Sequence, residues 1–306
     1  MYALPETGVS ISTNKHNCNL FSIADWIMAS CLFLETEISK SDVSDILIEN
    51  QIYGDQDFCS QFIDNIWLNI SDFIDTAQIP SLSVTGRAIT PKQKWGEDSA
   101  LSYCLTASIR KTYPTWSKSC GDFLTQGSIL EHLTQIALSQ HHPNIKFTTT
   151  GWSGIKDNGS FGNLIRKICE ETKFSEKDLS LWDNGRIKDL GLDVYGYYPG
   201  HGNRPSTYFM MFQCASGDNW TEKRNTPNLE IWSDILKTYT SPIRGMAIPF
   251  LIEEKDFSQS LIVIKGPLLE RKMLLSGLNQ EMLPAELILQ INDWVYERIE
   301  KLPLDE

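Results

Sequence analysis

Tyr208-Phe209-Met210-Met211-Phe212-Gln213-Cys214 is the stretch on which the fold turns. Successive side chains of an extended chain point to opposite faces, and here both alternations are apolar. A strand covered on both sides by other layers takes that composition. Its surroundings alternate between helix and strand patterns. Helices are expected over 128–139, 161–172 and 229–239, and strands over 145–152, 191–198, 207–215, 245–252 and 261–265. The amphipathic tail, 284–302, is expected to be a helix capping one sheet face. Together these predict an α/β (α+β) domain with a central mixed β-sheet flanked by helices.

The 306 residues allow about two domains. From Asn19 to Ala77 the apolar residues recur at helical spacing, with Phe21, Ile23, Trp26 and Ile27 on one face and Phe62, Ile66, Trp67 and Phe73 on another. Residues 78–98 interrupt this with two prolines, two glycines and polar residues, and read as the boundary. The expected division is therefore an all-helical domain over 1–95 and the α/β domain over 96–306.

Net charge is −12, the wrong sign for a protein that coats nucleic acid by bulk electrostatics. Residues 1–96 carry five basic and twelve acidic side chains, leaving −5 for the remainder. A local basic groove in the second part is compatible with this, and the acidic first part is either solvated surface or a docking face for other protein subunits. No apolar run approaches the ~18 residues of a membrane span, and the first ten residues lack a secretory pattern. The seven cysteines are scattered and none is spaced as C-x-x-C. Reduced thiols and a cytoplasmic location are the expectation.

Several familiar devices are missing or incomplete. Gly151-Trp152-Ser153-Gly154 is one residue short of a nucleophile elbow. No phosphate-binding glycine loop occurs, and Gly200-His201-Gly202 sits in a turn. Attention falls instead on Lys188-Asp189-Leu190-Gly191-Leu192-Asp193-Val194-Tyr195, followed about twenty residues later by Phe212-Gln213-Cys214-Ala215. A carboxylate set among apolar strand residues is costly unless it is paired or ligates a cation. Asp193 and Gln213, at the ends of adjacent strands, are candidates to hold one Mg²⁺ or Mn²⁺ through oxygen donors.

A helix carrying a glutamate, a strand carrying Gly191-Leu192-Asp193 and an apolar strand ending in Phe212-Gln213-Cys214 resemble the PD-(D/E)XK superfamily, the restriction-endonuclease-like fold, over roughly residues 125–255. The resemblance implies metal ligation by Asp193 and Gln213 with the Cys214 carbonyl nearby, and a further ligand in Glu131. It also implies a lysine two residues beyond Gln213 to position the attacking water. That position is Ala215, so the basic group would have to come from the following helix, where Lys223 is the candidate.

Each residue has a plainer alternative. Asp193 could bond a neighbouring loop, and Gln213 could be satisfied by backbone at the strand edge. Ser128-x-x-Glu131 matches a capping box. Lys223 could be a solvated lysine at a helix start and Trp220 a packing residue. Asp189 shares a pleat face with Asp193, but about 13 Å of extended chain would separate them. The resulting expectation is a metal-dependent endonuclease acting on DNA, the effector of a prokaryotic anti-phage defence or restriction-type system. The alternative is a catalytically inactive nuclease-fold subunit serving as scaffold or adaptor in a nucleic-acid-processing complex.

Overall fold

The computed structural model describes residues 1–9, 18–151, 161–182, 189–200, 202 and 204–305. Trp152-Ser153-Gly154, Lys188 and His201, singled out above, lie outside the described residues. In chain order the elements are α1 (Leu20–Phe33), β1 (Ile38–Ser39), α2 (Lys40–Glu49), α3 (Gln56–Ala77), β2 (Leu82–Val84), β3 (Ala88–Pro91), α4 (Ser99–Ile109) and α5 (Pro114–Ser119). Then come α6 (Phe123–His141), β4 (Lys146–Thr149), α7 (Phe161–Thr172), β5 (Ser175–Glu176), β6 (Val194–Tyr197), β7 (Phe209–Cys214), α8 (Leu229–Ile235) and β8 (Leu236–Lys237). The last are β9 (Ile243–Ala247), α9 (Glu254–Ile264), β10 (Leu268–Leu269), α10 (Arg271–Ser276) and α11 (Ala285–Ile299). Among the described residues no helix is long and apolar enough to cross a membrane.

Contacts divide the chain into two compact units. The first comprises Met1–Asp122, Pro249–Leu251 and Arg271–Glu306; the second comprises Phe123–Ile248 and Ile252–Glu270. This differs from the expected break after residue 95, and the reason is α4. Its sequence, SALSYCLTASI, is buried along its whole length, because small side chains let α1 on one side and α11 on another approach closely. The first unit is also not all-helical. Residues 78–98 contain β2 and β3, which join β1 in an antiparallel sheet of order β1-β3-β2. The polar tract that read as a linker is a hairpin.

The tail helix differs from expectation too. The α11 stripe of Leu287, Ile291, Trp294 and Val295 is buried against α4, with Trp294 and Tyr103 ring centroids 5.4 Å apart. It belongs to the first unit, not to the unit that holds the large sheet. A buried ion pair fastens the same unit. Arg271, fully buried, reaches Asp25 with Nη1–Oδ1 2.5 Å and Nη2–Oδ2 2.9 Å. Ser108 donates to the same carboxylate, and Arg271 Nε donates to the Pro249 carbonyl at 2.8 Å.

The second unit is built on a mixed five-stranded sheet of order β10-β9-β7-β6-β4, flanked by helices. β4, β6 and β7 run antiparallel to their neighbours, while β7, β9 and β10 are parallel. All six residues of β7 are buried, as its doubly apolar sequence requires. Phe209 and Met211 face a cluster with Ile165 and Ile168 of α7 and Trp232 of α8. The alternate residues face the other side, where Phe212 meets Phe147 and Cys214 meets Thr134 of α6. The expected strand over 261–265 is instead the end of α9. The apolar run Leu261-Ile262-Val263-Ile264, β-branched from Ile262 on, is overridden by the acidic first turn of Glu254 and Asp256, which suits a helix N-terminus.

Candidate functional site

Asp193 and Gln213 meet. The β6–β7 ladder pairs Val194 with Phe212, so the next residues outward, Asp193 and Gln213, stand opposite each other. The backbone supports the pairing: Asp193 N–H donates to the Phe212 carbonyl at 2.9 Å, and Thr150 N–H donates to the Asp193 carbonyl at 2.9 Å. Asp193 Oδ2 accepts from Cys214 N–H at 2.6 Å and from the Gln213 side-chain amide. The Gln213 Nε2 group also donates to the Cys214 carbonyl at 3.2 Å. One amide nitrogen thus bridges two oxygen acceptors, Asp193 Oδ2 and Cys214 O. Both side chains are buried, with residue exposures of 8% and 7%.

Glu131 comes to the same place from α6. That helix begins at Phe123 and not near Ser128, so Ser128-x-x-Glu131 lies inside it and makes no capping box. Glu131 is 5% exposed. Its carboxylate acts electrostatically on both Asp193 and the Cys214 thiol. One turn later Thr134 Oγ1 accepts from Cys214 Sγ at 3.5 Å, and one and a half turns earlier Gln126 Nε2 donates to the Ser216 carbonyl at 2.8 Å. Gln126 and Thr134 went unsingled in the sequence because a polar residue on an apolar helix face looks like any other there.

Asp189 is nearer than an extended chain would bring it. Residues 189–192 form a turn, with Asp189 Oδ1 accepting from Gly191 N–H at 2.8 Å and its carbonyl accepting from Leu192 N–H at 3.0 Å. Leu190 and Gly191 both take left-handed backbone angles, φ 50° and 73°. Gly191 has a second constraint. A Cβ there would overlap Thr226 Cγ2 and lie 2.8 Å from Gln213 Oε1, so the turn closes over the Gln213 amide only because glycine occupies it.

Lys223 ends a short 3₁₀ turn, Trp220–Lys223. Its ammonium is close enough to Asp193 to favour the charged carboxylate, although other forces prevail. Burial first, then the Glu131 and Asp189 carboxylates, push Asp193 well above the usual carboxylate range, with Cys214 N–H and Lys223 pulling the other way. Burial, reinforced by Asp193 and Glu131, also drives the Cys214 thiol upward. Trp220 is buried, as its packing alternative requires, and Arg224 lies 6.0 Å from its ring centroid. Ala215 is 1% exposed, and its N–H bonds the Ala247 carbonyl at 2.9 Å. A methyl group occupies the position where the resemblance implies a lysine.

The five sequence candidates therefore converge on one end of the sheet. Among the described residues no three His, Cys, Asp or Glu side chains gather closely enough to hold an ion by themselves. A hard cation here would depend on mixed oxygen donors, the Asp193 and Glu131 carboxylates and the Cys214 carbonyl; Gln213 now turns its Nε2 group to that point and its Oε1 toward Gly191, and would join as a ligand only with its amide reversed. That donor set fits such an ion chemically. Like-charged buried carboxylates repel unless a proton or a cation lies between them, while the Asp193 carboxylate and the Cys214 carbonyl share the Gln213 amide nitrogen. No family model, curated protein or solved structure matches the chain, so the functional reading rests on these side chains.

Proposed function

We propose that the second unit is a divalent-cation-dependent phosphodiesterase acting on DNA, of the PD-(D/E)XK kind. The observation that carries the reading is the convergence of Asp193 Oδ2 and the Cys214 carbonyl on one point beside the buried Glu131 carboxylate. Asp193 and Glu131 would hold Mg²⁺ or Mn²⁺ with help from Gln213 and the Cys214 carbonyl. A cation so held polarises a phosphate oxygen and lowers the pKa of bound water. Lys223 supplies the positive charge that Ala215 lacks, either to orient water or to offset charge on the phosphate. The acidic balance of residues 1–96 suits docking of basic protein subunits, and a role in prokaryotic defence follows from the resemblance alone.

Plasmid cleavage in Mg²⁺ or Mn²⁺ tests the reading. The wild-type chain should cut, and Asp193→Ala should not. Undiminished cleavage by Asp193→Ala would remove the assignment. One observation favours a second reading, an inactive nuclease-like adaptor: the buried Ala215 methyl where a lysine would polarise water. A wild-type chain that never cuts DNA yet co-elutes with a larger nucleic-acid-processing complex would establish that version.

A further inference from the structure

The opposite end of the same strands carries a second feature. A cavity of about 560 Å³ opens between the C-terminal end of α6 and the β6–β7 hairpin. His141, His142, Tyr198 and Tyr208 contribute four of its eight lining residues, with Pro143 and Ile145 completing its apolar wall. Tyr198 is 41% exposed, so its ring is open to solvent. His142 packs towards Phe147 with ring centroids 6.2 Å apart. Partial burial, with His141 beside it, holds the His142 imidazole below its ordinary range, so at neutral pH it offers a flat uncharged ring.

The charge pattern is unusual for so acidic a chain. Residues 140–150 and 194–213, which supply the whole lining, contain no Asp or Glu, and Lys146 among them turns to Glu171. The nearby carboxylate of Glu171 lies on the α7 side of the sheet, where it accepts from Tyr195 Oη at 3.1 Å and stands 3.9 Å from Lys146 Nζ. An acid-free cavity lined by aromatic rings suits a planar ring on a polyanionic strand. Stacking supplies affinity without sequence preference, and no carboxylate of the lining repels phosphate.

We propose that this cavity is a stacking site for a nucleobase of single-stranded nucleic acid. The choice of a nucleobase over other planar rings rests on the phosphodiesterase reading; the cavity does not. Asp193 and Tyr198 flank β6, five residues apart, or about 17 Å along an extended strand. One strand lying along β6 would place a base in the cavity while a phosphate further along lies near Asp193.

The test is fluorescence anisotropy with a labelled oligodeoxythymidine in EDTA, so that no cleavage occurs. Wild type should bind, and Tyr198→Ala and Tyr208→Ala should each weaken binding about tenfold. Tyr198→Phe keeps the ring and should bind as wild type, which separates stacking from misfolding. Plasmid cleavage by wild type in Mg²⁺ is measured alongside, so loss of cutting and loss of stacking are read separately. Failure of wild type to bind, or full affinity in both alanine variants, would overturn the proposal. Thymidine monophosphate binding as tightly as the oligomer would overturn the assignment to a strand.

Discussion

Gly191→Ala is the sharpest probe of how the candidate site is held. The substitution adds one methyl group where φ is 73°, and a side chain in the left-handed region costs about 1–2 kcal/mol. The new Cβ would also overlap Thr226 Cγ2 and crowd Gln213 Oε1 at 2.8 Å. Relieving such overpacking costs about 1–3 kcal/mol. The two contributions together predict a loss of about 2–5 kcal/mol in urea denaturation. They are separable because Thr226→Ser deletes the clashing methyl. Combined with Gly191→Ala, the serine should return the Thr226 part of the steric share and leave the backbone and Gln213 parts, giving a favourable coupling of up to about 1–3 kcal/mol across the four proteins. Coupling near zero would refute the claim that the turn closes on Thr226. Full recovery would refute the claim that the backbone angle matters.

Four further outcomes follow from other parts of the molecule. Asp25→Ala leaves the buried Arg271 guanidinium without its carboxylate and should destabilise by about 3–5 kcal/mol; Asp25→Leu with Arg271→Met should recover most of that in the same denaturation assay. Burial lifts the Asp98 carboxyl, against the opposing pull of its bonds from Ser81 and Leu101 N–H. Its folded form therefore keeps a proton that the unfolded chain has lost, so its contribution to stability declines as pH rises from its unfolded value through its raised folded one. Asp98→Asn keeps an N-cap oxygen for α4, and stability measured from pH 4 upward should lose that decline. Mg²⁺ should raise the melting temperature of wild type, by about 2.7 kcal/mol of added stability at a hundredfold excess over Kd, and chelation should reverse it; Asp193→Ala should show no shift. Lys223→Ala should cut cleavage about tenfold or more without changing oligonucleotide affinity in EDTA, and an unchanged rate would remove Lys223 from the site.

The sheet was legible because β7 announces itself. A strand apolar on both faces has few alternatives, and the Asp193–Gln213 pairing follows once Gly191-Leu192-Asp193 is set antiparallel beside it. Glu131 was legible as a residue but not as a buried one, since Phe123-Leu124 carries no clear helix-start signal and α6 begins earlier than its capping-box-like triplet suggests. The first unit was harder. Ser99–Ile109 mixes serine, threonine and alanine and shows no amphipathic stripe, because a helix surrounded on all sides needs none. Without α4 in view, the true partner of α11 could not be recognised, and the nearest sheet was the natural guess. Leu261–Ile264 shows the opposite failure, a short, mostly β-branched apolar run whose periodicity cannot distinguish strand from the last turn of a helix.

The order in which the two units draw on the chain bears on how they are made. The first unit needs α1 and α4 from before residue 122 and α10 and α11 from after residue 270. Met1 and Ala3 even bond backbone partners at Asp305 and Pro303. During synthesis at about 5–20 residues per second, the early helices would wait on the order of ten to forty seconds for those partners. The interposed sheet emerges completely in that interval and can close first. α4, apolar along most of its length, is then the segment in greatest need of shelter on the ribosome.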